Sequence, residues 1–539
     1  MAAGSTQPAR GTRDALPGDM RRRQHVLDVL RDIFLAYGFE PLDTPAIERA
    51  DTLLGKYGPD AERLIYRAGL SGKDDLALRY DLTVPLARVA GSYDELSKPI
   101  KRYQVAAVWR GERPQRGRYR EFLQADVDIV GSSSMLADAE IITIVATALE
   151  RLGFPDHLTM VNNRKVLLAV GRYAGVPESV LPGLYRAIDK RDKIGLEGVR
   201  QELRAVGVPG DLVHRERQAV GRWMRGQADR DRLAADLAQA LAESVPSERA
   251  AAYAPAVDQF LESLCARPQA DGVAAEEIAS AKARLVGESI EALRALAPDA
   301  GQIPDEVVER LLALLSLSGD NLGLLGELES ELGDAPGARE GIGELRELLQ
   351  ALEDFGVPTT KIAVDFAMVR GLDYYTGTIF ETVIESLPIG SILSGGRYDN
   401  LMSQFGRDLP AVGTSFGVDR LVLAMDETEL FPPEVDGPTP EVLVTRFDEP
   451  TTGAAVRLAQ LLREAGLRTE LYLDVDRLGD QIRYALRRQI PLLAICGPDE
   501  VAAGTATLRD LRLRVEQTVP VAGVVEAARA MLEAAPPAQ

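Results

Sequence analysis

WRGERPQRGRYREFLQADVDIVG, residues 109–131, decides how the rest of the chain is read. The pattern predicts two strands, 101–113 and 121–131, joined by an arginine-rich loop, ERPQRGRYR, in which Gly117 marks a turn. Alternate side chains on a strand share a face, so Arg110 and Glu112 can look at one ligand, and across the hairpin Gln124, Asp126 and Asp128 do the same. A guanidinium is a planar fork that suits a phosphate or a carboxylate. Gln124 and Asp128 would present an amide and a carboxylate to an amino group or a protonated ring. From Lys98 to Arg120 there are eight basic residues and one acid, Glu112. A solvated charged hairpin is the plain alternative.

Outward from the hairpin the pattern stays mixed. Residues 19–38 read as an amphipathic helix, with Val26, Leu27, Leu30, Ile33 and Phe34 at helical spacing. Pro41 and Pro45 then impose an extended segment, because proline disfavours helix in itself and in its predecessor. LALRYDLTVPLARVA, 76–90, is a short strand running into a helix that starts near Thr83–Pro85. From about 165 to 358, Ala, Leu, Arg and Glu dominate and helical spacing recurs (Val307, Leu311, Leu314, Leu315), which predicts a mainly helical insertion. Strand-like composition returns at 361–385, where Arg370, Tyr374 and Tyr375 can form a polar pocket with an aromatic wall; half-buried β tyrosines are the alternative. Gly395–Gly396 and Gly413–Gly417 read as glycine-rich turns, the second followed by a helix that Arg420 opens.

FPPEVDGPTP, 431–440, reads as a linker. Beyond it, strands 441–447, 468–474 and 491–497 alternate with helices 454–466 and 477–489. A β segment near 506–520 precedes a last helix, 521–534. Such alternation predicts a small α/β domain with a mainly parallel or mixed sheet. The residues therefore describe an interrupted α+β domain, a helical insertion and an α/β C-terminal domain.

The 539 residues suffice for about three or four folding units. A hydrophobic content of 46% and a charged content of 27% are those of an ordinary globular protein. No apolar run is long enough to span a bilayer, and the N-terminus has no apolar stretch of the signal-peptide kind. Cys265 and Cys496 lie too far apart for a disulfide framework, and His25, His157 and His214 are scattered, so a Cys/His zinc site is not expected. A reducing, cytoplasmic location without membrane association fits. The net charge of −20 argues against non-specific coating of nucleic acid, yet the basic stretch 98–120 leaves room for a local contact. There is no phosphate-binding G-x-x-x-x-G-K-[ST], no G-x-S-x-G elbow and no H-E-x-x-H. Phosphate clamping by arginines is the chemistry that remains.

Taken together, the segments closely resemble the histidyl-tRNA synthetases, a family of class II aminoacyl-tRNA synthetases. The resemblance covers about 1–165 and 360–530. GTRDALP (11–17) looks like the family's N-terminal signature, YGFEPLDTPAIE (37–48) like the motif 1 of the dimer interface, WRGE (109–112) like motif 2 and GVDRL (417–421) like motif 3. RGLDYY (370–375) and SGGRYD (394–399) resemble the two histidine-specific signatures, and GDQIRYALRR and GPDEVAAGT resemble the anticodon-binding domain.

The resemblance implies a fold and a division of labour. The fold is an α+β catalytic core, an antiparallel sheet with helices, in two parts, 1–164 and 359–430. A mainly helical insertion, 165–358, lies between them, a linker, 431–440, follows, and an α/β anticodon-binding domain, 441–535, closes the chain. The reaction is activation of L-histidine by ATP, with Mg²⁺ as part of the ATP substrate and no tightly bound protein metal, followed by transfer to tRNA(His), carried out by a homodimer. Arg110 and Arg370 would be catalytic and would also be histidine-binding, Arg110 touching the ATP α-phosphate and the histidine carboxylate, and Arg370 lying by the α-phosphate where other class II enzymes place a metal ion. Arg110, Glu112, Arg118 and Arg420 would bind ATP. Asp81, Thr83, Gln124 and Asp128 would hold the amino group and imidazole, with Tyr374 and Tyr375 as walls. Gln115, Arg116, Arg483 and Arg487 would meet the tRNA, the last two sharing a helix face by their spacing of four.

Asp81 and Asp128 stand where many bacterial relatives carry Glu, and VNNRKVL (161–167) opens the insertion in the archaeal and eukaryotic style. The insertion is expected to clasp the acceptor stem, a helical cover over the core being the alternative. LRDLRLRVEQTVP departs from the family's usual turn. No editing domain is expected. Two rivals remain: a non-catalytic paralogue that regulates histidine biosynthesis, and a synthetase for another amino acid.

Overall fold

The computed structural model describes residues 6–56, 62–69, 75–175, 181–206, 232, 235–236, 239, 303–369, 374–437 and 440–534. The chain divides into two compact units, 1–15 with 23–430, and 16–22 with 431–539.

The first unit is built on an eight-stranded sheet: β1 (Glu40–Pro41), β4 (Ile100–Trp109), β5 (Glu121–Val130), β10 (Ala411–Gly417), β9 (Leu393–Arg397), β8 (Thr378–Ile384), β6 (His157–Asn163) and β7 (Ile362–Val364), in that spatial order. Pairing is antiparallel except at the two edges, where β1 runs parallel to β4 and β7 parallel to β6. A small ladder of β2 (Ile47–Arg49) and β3 (Leu76–Leu78) stands apart.

Period-two alternation divides the central strands cleanly. Tyr103, Ala125, Val127 and Phe416 lie on one face, where helix Pro17–Ala36 brings Phe34 to 5.4 Å from Tyr103 and 5.9 Å from Phe416, ring to ring. Helix Met135–Arg151 packs behind the same strands. The opposite face is polar and still buried: Arg102, Gln104, Gln124, Asp126 and Asp128 are all nearly inaccessible. Helix Thr83–Ser92 helps to cover it, through an apolar cluster that includes Val84, Leu86, Ala87 and Tyr398. Arg397, inside β9, ties that strand to helix Met135–Arg151 through a buried ion pair with Asp138 and through the Ser132 carbonyl, 2.9 Å.

The described residues between 164 and 354 are helical wherever they are regular: Arg164–Tyr173, Leu181–Ile188, Arg191–Ala205, Asp305–Leu315, Asn321–Leu332 and Ala338–Asp354. Asn321 docks its helix on β7, donating to the Ile362 carbonyl and accepting from Val364 N–H, both 2.9 Å.

Three local expectations change. The first hairpin strand ends at Trp109, not 113, because the chain leaves the sheet there; Arg110 N–H still reaches the Arg120 carbonyl (2.9 Å), but Gly111 N–H turns to Leu64 O (2.8 Å). Among the described residues of 361–385 only 362–364 and 378–384 are strand. Between them the Asp365 carboxylate takes the Ala367 N–H at 3.0 Å and its carbonyl takes that of Met368, also at 3.0 Å, which forms a turn. The glycine-rich stretches 395–396 and 413–417 are not turns; they lie in β9 and β10. Glycine is needed there for close approach. A Cβ on Gly413 would collide with the Asp128 carboxylate, and one on Gly396 would stand 2.6 Å from the Thr378 carbonyl oxygen and 2.9 Å from the Tyr375 ring.

The second unit holds a five-stranded mixed sheet, β12 (Thr469–Leu471), β11 (Val442–Val444), β13 (Leu492–Ile495), β14 (Thr505–Asp510) and β15 (Val515–Pro520). The first three are parallel and the last two antiparallel. Helices Glu449–Glu464, Leu478–Arg487, Pro498–Ala503 and Val524–Glu533 connect and cover them. The segment expected near 506–520 is thus a two-strand hairpin, whose turn is held by the buried Asp510 carboxylate accepting from the N–H groups of Arg512 and Leu513 at 2.8 and 3.0 Å. A single helical turn, Pro433–Asp436, lies within 431–440. Among the described residues no helix is long and apolar enough to cross a membrane.

Candidate active site

Over the polar face of the first unit's sheet lies a cavity of about 530 Å³. Strand register builds its floor. Gln104 pairs with Asp126, Asp126 with Ser415, Ser415 with Ser394 and Ser394 with Glu381, so one polar row crosses five strands. The next row is Arg102, Asp128, Gly413 and Gly396. The close approach at Gly413 lets the Asp128 carboxylate lie across the floor rather than stand up from it.

One end of the cavity is cationic. Arg110 lies between two rings, its guanidinium carbon 4.4 Å from the Tyr80 centroid and 5.2 Å from that of Phe122, with Nε donating to the Tyr80 carbonyl at 3.1 Å. Stacking and one fixed N–H set the plane of the fork and leave its remaining donors for a ligand. Arg118 follows a tight turn in which Gln115 and Arg118 exchange backbone hydrogen bonds of 3.1 and 2.9 Å, with Gly117 at φ +70°. Arg420 sits in the first turn of helix Val418–Glu427 and donates to the Ser391 carbonyl. Asp419 fixes the start of that helix by accepting from Arg13, Arg23 and Leu123 N–H at 2.9, 2.9 and 3.0 Å. Burial holds the Arg420 guanidinium below its ordinary range, and the like charge of Arg118 adds to the effect. Two guanidiniums that destabilise one another beside an open cavity form a seat for a multiply charged anion.

The other end is rich in acceptors. Asp81 accepts from Val84 N–H at 3.1 Å as helix Thr83–Ser92 begins, with Thr83 beside it on the cavity wall. The Gln124 amide donates to Ser415 Oγ, whose hydroxyl is bonded to Asp126, and Tyr398 donates to Asp128. Arg102 lies within 3.0 Å of both the Leu82 carbonyl and Asp128 Oδ2. Gln124 Oε1 and Asp126 Oδ1 are buried without a hydrogen-bond partner, as are Arg102 Nε and Nη1, while Asp128 Oδ2 has the Arg102 ion pair alone. Buried acceptors are satisfied in folded proteins as a rule, so this end suits a ligand bearing N–H groups. The rings of Tyr374 and Tyr375, 4.4 Å apart, wall it off.

Burial pushes the Asp126 carboxyl up to about 7, with Arg102 pulling the other way and Asp128 adding to the rise. Since the folded value lies above the unfolded one of 3.8, the folded protein binds this proton more tightly. The stability it contributes is present at low pH and is lost as pH rises from about 4 to about 7. Asp126→Asn, whose amide does not titrate, is therefore expected to gain on the wild type across that window, read as the difference in urea midpoint. A difference independent of pH would mean that Asp126 is ionised throughout.

Of the residues expected from the sequence, Asp81, Thr83, Arg110, Glu112, Arg118, Gln124, Asp128, Tyr374, Tyr375 and Arg420 all line this cavity. Arg110 and Glu112 do so from the loop beyond β4, not from strand alternation, and Tyr374 and Tyr375 from the coil before β8. Arg370 lies outside the described residues. Gln115 and Arg116 are at the exposed loop tip, where Arg116 meets Glu427 at 2.7 Å. Arg483 and Arg487 are exposed on helix Leu478–Arg487 of the second unit, Arg483 bonded to Asp480. Sequence reasoning did not select Glu381, Ser394, Tyr398, Ser415 or Lys193, which share the cavity. Ser394 and Tyr398 stand inside the SGGRYD signature and were open to discovery; the others are joined to the site only by register or packing.

The family model for histidyl-tRNA synthetase matches residues 11–271 and 256–421, and that for an anticodon binding domain matches 441–531. A curated histidine–tRNA ligase from Gloeobacter violaceus is 36% identical over 545 residues, covering 95% of this chain and 96% of that one. This chain belongs to the histidyl-tRNA synthetase family. A second such ligase, from Aeropyrum pernix, is 35% identical and covers 99% of this chain and 100% of its own. A solved histidyl-tRNA synthetase from Nostoc sp. PCC 7120 superposes with a TM-score of 0.67 at 25% identity, covering 98% of this chain and 100% of that one. The histidyl-tRNA synthetase match contains both stretches that build the cavity, 81–128 and 374–420.

Proposed function

We propose that this chain is a histidine–tRNA ligase. It joins L-histidine to ATP as histidyl-adenylate, releasing pyrophosphate, and then passes histidine to the 3' end of tRNA(His), releasing AMP. The observation that carries this reading is the lining of one cavity, which brings Arg110, Arg118 and Arg420 together with Asp81, Gln124 and Asp128.

In the first step a carboxylate oxygen of histidine attacks the α-phosphorus and the bond to pyrophosphate breaks. Charge grows on the equatorial oxygens and on the leaving group, where fixed guanidiniums stabilise it without a proton donor. Arg110 bridges the α-phosphate and the histidine carboxylate, with Arg370 beside it; Glu112 takes the adenine amino group; Arg118 and Arg420 hold the β- and γ-phosphates, to which Mg²⁺ comes bound as part of the substrate. At the far end Asp81 and Thr83 take the α-ammonium, and Gln124 and Asp128 the imidazole, between Tyr374 and Tyr375. In the second step a terminal ribose hydroxyl attacks the activated carbonyl and AMP leaves. A pocket built to hydrogen-bond ring nitrogens rejects analogues without them by roughly 10⁴–10⁵, so no editing domain is needed.

The same reading divides the chain into catalytic parts 1–164 and 359–430, the insertion 165–358, the linker 431–440 and an anticodon-reading domain over 441–535. Gln115 and Arg116 face the acceptor end, and Arg483 and Arg487 the anticodon stem and loop. The working form is a cytoplasmic homodimer joined through 37–48.

The test is ATP–pyrophosphate exchange with each amino acid in turn. Exchange is expected with histidine alone. Exchange with a different amino acid would transfer the assignment to that substrate, and no exchange in folded protein would favour the regulatory paralogue.

A further inference from the structure

Among the described residues the insertion reaches the cavity through one side chain. Lys193 lies in the short turn 191–194, which Gly195 at φ +66° separates from the rest of helix Arg191–Ala205; it is exposed and lines the same space as Arg110, Arg118 and Arg420. Among the described residues its ammonium has no ion-pair partner, whereas its neighbours are tied down: Lys190 to Glu202 at 2.8 Å and Arg191 to Asp365 at 2.9 Å. The second tie matters most. Asp365 forms the turn after β7, and Met368 in that turn is bonded through its carbonyl to Asn162 of β6 at 3.0 Å. The turn that presents Lys193 is thus clamped to the sheet rather than left to drift over it, and its own backbone bond, Lys193 N–H to Lys190 O, is 2.9 Å.

A phosphate bound in a cavity that Lys193 lines together with three guanidiniums can take a further charge-assisted contact from its ammonium. We propose that Lys193 is a substrate-binding residue contributed by the insertion, its ammonium contacting a phosphate bound in this cavity. The proposal rests on the reading of the cavity as the adenylate-forming site. Two substrates bring phosphates here, ATP and the 3' end of tRNA, and the two half-reactions separate them. The insertion then has a part in catalysis that neither a helical cover nor a clasp on the acceptor stem requires.

The test uses Lys193→Met, which keeps the stem length, and Lys193→Arg, which keeps the charge, in the full chain. Histidine-dependent exchange reports the ATP step, and single-turnover transfer from preformed adenylate to tRNA reports the second. Loss of one charge-assisted contact is expected to cost about 10- to 100-fold in one of the two. A loss in exchange, seen in the KM for ATP or in kcat, assigns the contact to ATP; a loss confined to transfer assigns it to tRNA. In either case the arginine variant should recover most of the loss, and the melting temperature should not change, since the side chain is exposed. If both steps stay within twofold of wild type in Lys193→Met, or if arginine gives no recovery, the proposal is wrong. Should the wild type show no exchange with any amino acid, the ligase reading fails instead, and the calorimetric affinities of Lys193→Met against wild type for ATP and for tRNA still decide the contact: both unchanged overturns it.

Discussion

Arg110→Ala is expected to lower histidine-dependent ATP–pyrophosphate exchange by about 10²–10³-fold, by analogy with removal of one preorganised donor at a developing oxyanion. The size of the effect follows from how the side chain is held. Its guanidinium is stacked between Tyr80 and Phe122 and fixed at Nε by the Tyr80 carbonyl, so its orientation is set before substrate arrives. A lysine at this position restores the charge but neither the planar fork nor the stacking, so Arg110→Lys should recover little of the loss. Most of the change should appear in kcat, because the charge being stabilised is largest in the transition state. Exchange within threefold of wild type in Arg110→Ala would remove this residue from the reaction.

Gly413→Ala is the second large effect, and it reaches the pocket proposed for the imidazole without altering a polar group. The added methyl would occupy the space of the Asp128 carboxylate, so that carboxylate must tilt off the floor and lose its bond from Tyr398 and its approach to Arg102. Misplacement of a binding group by about 1 Å can cost 10²-fold, and about that loss is expected in kcat/KM for histidine. The KM for ATP should move less, because Arg110 and Arg118 stand beyond β4 and Arg420 on the helix after β10, seven residues along the chain from Gly413. Overpacking should also lower stability by about 1–3 kcal/mol, so the measurement belongs at a temperature where the melting curve shows the variant folded. An unchanged KM for histidine would mean that the ring does not rest on Asp128.

The two variants illustrate what local chemistry reveals and what it conceals. Arg110 could be picked out because arginine beside a hairpin is a ready anion ligand, yet the strand alternation offered as its geometry was not the reason it faces the cavity. The ladder stops at Trp109, and the loop backbone aims both Arg110 and Glu112. From the sequence Gly413 reads as part of a turn, since glycine most often marks one. Its actual use is to admit a carboxylate from the adjacent strand, a need invisible without the pairing of Gly413 with Asp128.

Residues close in sequence were enough to specify the β4–β5 hairpin, the helix after Asp81, the helical character of the described insertion and the strand–helix alternation at the C-terminus, because periodicity and turn chemistry act over a few residues. The family signatures were legible for the same reason, being short ordered strings. The polar row from Gln104 to Glu381 was not, nor was the arrival of Lys193. Those groups are brought together by register across five strands and by the Arg191–Asp365 clamp, which link positions up to some hundreds of residues apart. Such pairings are selected by the burial of whole faces, and no window of sequence contains both partners.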